Sequence, residues 1–196
     1  MWRAFLRDRR FLRVALAVCL ISPLLGQLAV FSSVFAFRDL GFKAQMGAWL
    51  VAAAAASRMA LSPAAGWLTD RWGARPSLLL WAACGALGFA LLAAFPGAVT
   101  VFLAAGLAAV GYSGFSGAMN ALTSGIPRPE HRAGHFTLLG FCMIVVGSAV
   151  PLLVGGMFDR ISYRVGFALL AGVSTGIVLF CAWLLRDLSR KAEDYS

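Results

Sequence analysis

The sequence has little charge and very few acidic residues. Only 13% of its 196 residues are charged and eight are acidic, whereas 61% are hydrophobic. Soluble domains carry roughly twice that share of charged residues, so this chain has too little polar surface to cover a water-soluble fold. The composition therefore excludes an ordinary soluble domain and points to a membrane protein.

Long polar segments are also missing, because apolar runs fill most of the chain. A bilayer core of roughly 30 Å needs about 20 apolar residues per helix. Six runs of that length predict an all-α membrane protein of one domain, at Val14–Phe37, Gln45–Leu68, Pro76–Phe95, Val99–Thr123, His135–Phe158 and Arg164–Leu185. The apolar run of the first is too long for a signal peptide, so we interpret it as a span.

Cysteine and histidine are scarce, with four and two copies. All four cysteines fall inside predicted spans and show no metal-ligand spacing, which argues against a disulfide framework and a metal centre. We expect no cofactor.

Basic residues lie mostly on one side of the predicted spans. Twelve of the 17 Lys and Arg fall in the N-terminal segment, the second-to-third loop, the fourth-to-fifth loop and the C-terminal tail. The positive-inside rule then places both termini in the cytoplasm. Bands of charge beside spans favour anionic headgroups of the lipid bilayer as partner, and we expect no nucleic-acid binding despite the net charge of +9.

A ten-residue pattern occurs twice. Gly66, Asp70, Arg71 and Arg75 recur at identical offsets in a second loop, at Gly155, Asp159, Arg160 and Arg164. The first copy follows the second span and the second follows the fifth, on opposite sides of the predicted membrane. Two inverted three-helix repeats, at about residues 11–95 and 98–186, are typical of transporters. In this turn Gly66 is expected to allow close backbone approach, and Asp70 to accept hydrogen bonds at a helix start.

The loop "GWLTDRWGARP" resembles the signature loop of the major facilitator superfamily. The positions that match are Gly66, Asp70, Arg71, Gly73 and Arg75. The resemblance implies that this loop is a cytoplasmic latch between two six-helix halves, and that Asp159, Arg160 and Arg164 form its pseudo-symmetric counterpart. Ala74 stands where a basic residue is more usual, which weakens one ion pair.

With six spans, the chain resembles one half of a facilitator. The segments "FLRDRRFLR", "RDLGFKAQ" and "VPLLVGGMFDRISYRVGF" are similar to C-terminal halves of bacterial monocarboxylate-porter-like members. That resemblance implies transport of a small organic anion, such as a monocarboxylate, by alternating access. It also implies a partner, either a second six-helix half or another copy of the chain.

Arg58 is the charged residue deepest in a predicted span. It lies 12 residues before Asp70, about 18 Å along a helix and near the bilayer midplane. An arginine at that depth usually faces a water-filled cavity and an anion. The alternative is an ion pair with an acid on another helix or on a missing half. In monocarboxylate porters a similarly placed Arg binds the substrate carboxylate, and some members add an Asp where this chain has Ala54.

Other polar side chains are weaker candidates for substrate contact. They are Gln27 on the first span and Tyr112, Ser116 and Asn120, which recur every four residues on the fourth span. Hydrogen bonding between helices is the alternative for such residues. Gly106, Gly111, Gly114 and Gly117 are expected to permit close helix packing.

Three other interpretations stay open. The "GYSG" and "GFSG" sequences resemble the serine motif of rhomboid proteases, but the sixth span carries no histidine to act as base, so we do not expect an enzyme. The chain can also be half of a drug/proton antiporter, or a membrane scaffold that does not transport. The abundance of Ala, Gly and Arg suggests a bacterial inner membrane.

Overall fold

The computed structural model describes residues 9–124 and 132–186, with Arg132 described by its backbone alone. This part of the chain forms six helices, at the positions of the six predicted spans. They are α1 (Arg9–Arg38), α2 (Ala44–Trp72), α3 (Ala74–Ala94), α4 (Ala98–Ser124), α5 (Arg132–Phe158) and α6 (Tyr163–Leu184). The described residues include no strand, which confirms the all-α fold class. Some of the residues on which the predicted orientation and basic loops depend lie outside the described residues, namely Arg3, Arg7, Arg128, His131, Arg190 and Lys191.

Five of the six helices are long and apolar enough to cross a membrane, and α2 is the exception. Its 29 residues include an alanine run, Ser57, Arg58 and Ser62, and alanine contributes less hydropathy than leucine or valine. At 1.5 Å per residue α2 is about 43 Å long, and it packs along α4. We therefore infer that α2 crosses the membrane beside α4.

The helices form two layers. In the first, α4 packs against both α2 and α1, and α5 packs against the other side of α1. In the second, α3 and α6 pack against each other, α3 also covers α4, and both contact α1. Short connections make neighbouring helices antiparallel, so α1, α3 and α5 run one way and the others run back.

Two hydrophobic clusters divide the bundle along its length. One lies toward the α2–α3 junction, here called the Gly73 end, and contains Phe11, Leu78, Phe115 and Leu185. The other lies toward the α5–α6 turn, here called the Asp159 end, where Phe35, Phe89 and Phe158 contact the ring of Phe167. Each cluster contains residues from both predicted repeats, so the two repeats pack against each other in both clusters.

Two glycines of α4 allow close packing between the layers. A Cβ on Gly114 would collide with the Trp81 ring, and one on Gly111 would come within 3.3 Å of the Trp81 carbonyl oxygen. The prediction of close packing is therefore confirmed at these two positions. A Cβ on Gly117 would meet no described atom within 4 Å, so close packing does not explain that glycine.

Candidate functional site

A cavity of about 400 Å³ lies between α1, α2 and α4. Ten of its thirteen lining residues are Gly, Ala, Val or Leu, and the other three are Ser33, Arg58 and Tyr112. Among the described residues that line it, Arg58 alone carries a charge. The cavity therefore offers an apolar wall with one cation, a combination that suits an anion with an apolar body.

Arg58 is the central residue of α2, fourteen residues from each end, or about 21 Å along the helix. Arg58 thus lies halfway along the helix, and its depth in the bilayer stays a prediction. The side chain is exposed and lines the cavity. No described residue forms an ion pair with it within 4.0 Å, so the alternative of a partner acid finds no support within the described chain.

Ala54 and Tyr112 line the same cavity as Arg58. Ala54 precedes Arg58 by one helical turn, and Tyr112 reaches the cavity from α4 with 42% of its surface exposed. A tyrosine hydroxyl can donate a hydrogen bond to an anion that Arg58 binds. Tyr112 is thus the one polar candidate on α4 that shares the cavity with Arg58.

The remaining substrate-contact candidates lie outside the lining of this cavity. Gln27 is only 3% exposed, and its Oε1 is buried without a hydrogen-bond partner among the described residues. Ser116 and Asn120 follow Tyr112 along α4 toward the Gly73 end, and neither lines the cavity. Their roles in substrate contact stay predictions.

A chain of hydroxyl groups joins α2 to α4 one turn beyond Arg58. The Ser62 hydroxyl donates to the backbone oxygen of Arg58 at 2.6 Å, and the Ser62 and Ser113 Oγ atoms are 2.7 Å apart. Sequence reasoning missed this pair, because it considered Ser113 only as part of a protease-like motif. The four-residue spacing of Ser62 from Arg58 was a signal that could have found it.

The predicted latch loop forms the Gly73 end of α2 and α3. Gly73 has φ of 89°, a conformation that favours glycine, and it lets the chain turn between the two helices with a single linking residue. Arg71 stacks on the Trp67 ring, 5.2 Å from its centroid. Two expectations are not met within the described chain: Asp70 is exposed in the last turn of α2 without capping a helix start, and a Cβ on Gly66 would meet nothing within 4 Å.

Arg75 and Arg164 make equivalent contacts at opposite ends of the bundle. At the start of α3, Arg75 donates to the carbonyl oxygens of Ala182 at 3.1 Å and Arg186 at 3.3 Å, at the end of α6. At the start of α6, Arg164 donates from Nε to the Ala93 carbonyl oxygen at 3.1 Å, at the end of α3. Each helix thus supplies an arginine to the other helix's carboxyl end, as the inverted repeat requires.

The second copy of the loop contacts α1. Asp159 lies 3.6 Å from Arg38, whose guanidinium also donates to the Tyr163 hydroxyl at 3.4 Å. Both charged side chains are about two-thirds exposed, at 64% and 70%, so this ion pair adds little stability. Arg160 is exposed in the same turn.

Comparison with known proteins identifies the family. The model of the Major Facilitator Superfamily matches residues 14–195, nearly the whole chain. The chain belongs to the Major Facilitator Superfamily. It is therefore an integral membrane protein of a transporter family, whose members are not generally enzymes.

The relatives of this chain include two bacterial resistance proteins. The chain is 34% identical over 145 residues to a class C tetracycline resistance protein of Escherichia coli, a match that covers 74% of this chain and 36% of that protein. It is 29% identical over 120 residues to the multidrug resistance protein MdtH of Proteus mirabilis (strain HI4320), which covers 61% of this chain and 30% of that protein. The chain thus spans about a third of the relatives it matches. Neither relative supports the more specific likeness to monocarboxylate porters.

Proposed function

We propose that this chain is one six-helix half of a facilitator that moves a small organic anion, such as a monocarboxylate, by alternating access. The observation that carries the proposal is Arg58, which lines an otherwise uncharged cavity at the centre of α2. A cation at the centre of a membrane-spanning helix costs roughly 2.5–3.5 kcal/mol on insertion scales. An anionic substrate offsets that cost each time it binds.

The chemistry of the lining supports a carboxylate. A guanidinium presents two N–H groups in a planar fork that matches the two oxygens of a carboxylate. Tyr112 supplies a further donor from α4, while Leu25, Leu50 and Val51 offer apolar contact to the rest of the molecule. A compact acid with an apolar body therefore suits this cavity best.

We propose a second six-helix half, or a second copy, as the partner. The first layer leaves large apolar side chains exposed on both of its outer helices, including Val51 and Met59 on α2 and Leu152 and Leu153 on α5. Asp70 lies in the last turn of α2, where the helix dipole disfavours a negative charge, so a contact from outside this half would stabilise it. We also propose that the protein lies in a bacterial inner membrane with both termini on the cytoplasmic side.

A second candidate is drug efflux, which the names of the two relatives favour. The relative that is 34% identical to this chain is a tetracycline resistance protein, and the one that is 29% identical is a multidrug resistance protein. The mostly apolar lining also suits larger amphiphilic compounds. The two candidates differ in how strongly Arg58 determines affinity.

The test measures binding of benzoate, its neutral analogue benzamide, and tetracycline to the full chain in lipid nanodiscs by calorimetry. We expect Arg58→Ala to lower benzoate affinity about 10-fold to 100-fold, because it removes a charge-assisted hydrogen-bonded pair. Arg58→Lys should keep part of the affinity, since it retains the charge but not the fork. Benzamide affinity should change little. The matched control is Arg160→Ala, which removes an exposed arginine outside the cavity.

Either of two results would overturn the proposal of an anion site. One is a benzoate affinity that Arg58→Ala leaves unchanged, and the other is wild-type protein that binds benzoate and benzamide equally. Tetracycline binding that exceeds benzoate binding and persists in Arg58→Ala would support the drug-efflux candidate instead.

A further inference from the structure

Two serines connect the backbone of Arg58 to the neighbouring helix. Ser62 has one hydroxyl proton, which it donates to the backbone oxygen of Arg58 at 2.6 Å. Its Oγ also lies 2.7 Å from the Ser113 Oγ, so Ser113 must be the donor in that second bond. The two hydrogen bonds therefore run in one direction, from Ser113 on α4 through Ser62 to the backbone oxygen of Arg58.

The backbone of α2 needs support at this place. Pro63 follows Ser62 inside the helix, and because proline has no N–H, the carbonyl of Met59 loses its usual helical donor. The helix is thus weakened within one turn of Arg58. The bond from Ser113 holds α2 against α4 at that level.

The same contact also orders the site across the two helices. Tyr112 immediately precedes Ser113 on α4 and lines the cavity with Arg58. A bond between Ser62 and Ser113 therefore sets the distance between the helix segments that carry the two polar groups of the cavity. Loss of the bond lets the segments separate without removing either polar group.

We propose that Ser62 and Ser113 are positioning residues, which hold α2 against α4 so that Arg58 and Tyr112 contact the same bound anion. This inference rests on the proposed function, because it assumes that Arg58 binds the anion. It assigns neither serine a contact with the substrate.

The experiment compares Ser113→Ala with Ser113→Thr and with Ser148→Ala in the calorimetric assay described above. Ser113→Ala removes the donor to Ser62 and leaves the bond from Ser62 to Arg58 in place, whereas threonine retains a hydroxyl. Among the described residues, Ser148 bonds only to the backbone of its own helix, at 2.8 Å, and it is exposed, so its variant is the matched control. We expect Ser113→Ala to weaken benzoate binding about 3-fold to 10-fold, with benzamide unchanged and threonine restoring most of the loss.

A double variant separates positioning from general stability. If Ser113 acts through Arg58, Ser113→Ala should have no further effect on benzoate binding in an Arg58→Ala background. The inference fails if Ser113→Ala binds benzoate like Ser148→Ala, or if benzoate and benzamide lose affinity equally as the Tm falls. When Arg58→Ala weakens binding and Ser113→Ala does not, the proposed function stands and this inference alone is wrong.

Discussion

Ala54 is the residue that most clearly separates this cavity from one with its own counter-ion. It lines the cavity one turn before Arg58 on α2, and residues four apart on a helix are neighbours. An aspartate there would form an ion pair with Arg58 in a partly dehydrated place. The native alanine leaves the guanidinium available to an anion that enters the cavity.

We therefore expect Ala54→Asp to lower benzoate affinity about tenfold or more, because the new carboxylate competes with benzoate for the same guanidinium. Ala54→Asn has nearly the same shape without the charge and should change affinity much less. Calorimetry on both variants measures the difference. Equal affinity in the two variants would mean that charge at this position does not affect the bound anion.

Individual residues differ in how far the sequence predicts them. The position of Arg58 beside a cavity was predictable, because a cation in an apolar run is costly unless it faces polar surroundings. The hydrogen bond between Ser62 and Ser113 was not, since it depends on the register of α2 against α4. The burial of Gln27 likewise follows from packing around α1, which hydropathy alone does not specify.

At the scale of the helices, α3 and α6 form a pair in which an arginine links the two helices at each end. Arg75 and Arg164 are 89 positions apart, the same separation as Asp70 and Asp159. Each donates to carbonyl groups at the carboxyl end of the other helix, where a positive charge is favoured by the helix dipole. The sequence predicted the equivalence of these arginines, but assigned them to loops rather than to each other's helix.

We expect Arg75→Ala and Arg164→Ala each to destabilise the protein by about 1 kcal/mol, since each removes a cation from a helix carboxyl end. In a chain of this size, a loss of that order lowers Tm by roughly 2–4 °C. Thermal unfolding in detergent measures it, with Arg160→Ala as the control, because the exposed Arg160 side chain has no hydrogen bond or ion pair within the described residues.

Both Arg75→Ala and Arg164→Ala should be destabilised, since the two arginines make equivalent contacts in the two repeats. A loss at Arg75 alone would indicate that the contact at the Asp159 end is not maintained in the membrane. Neither substitution should alter the preference for benzoate over benzamide, because both arginines lie outside the cavity lining.

At the scale of the whole molecule, the cavity lies in a layer that the described residues cover on one side only. α3 and α6 cover the back of α1 and α4, whereas α2 and α5 keep large apolar side chains exposed at the edges. The family relatives are about three times as long as the part they share with this chain. The number of spans predicted a partner for this layer, and that partner stays a prediction, whereas the sequence did not predict which helices form the exposed layer.

If a second copy covers the open side of this layer, two Arg58 side chains share one cavity. Two copies inserted in the same orientation bring like charges together in a place of low dielectric, where repulsion is strong. We therefore expect the wild-type chain to form few dimers in anion-free detergent, and Arg58→Ala to form more. Benzoate should raise the dimer fraction of the wild type, because a bound anion offsets the repulsion, and should not raise that of Arg58→Ala.

Native mass spectrometry with and without benzoate measures these fractions, and Arg160→Ala serves as the control for lost positive charge. The control should behave like the wild type, since Arg160 lies in the turn at the Asp159 end and outside the cavity. If the dimer fraction depends on neither Arg58 nor benzoate, the Arg58 side chains of the two copies do not share one cavity. That result would favour, as the proposed partner, a different six-helix half whose own residues supply the opposite wall.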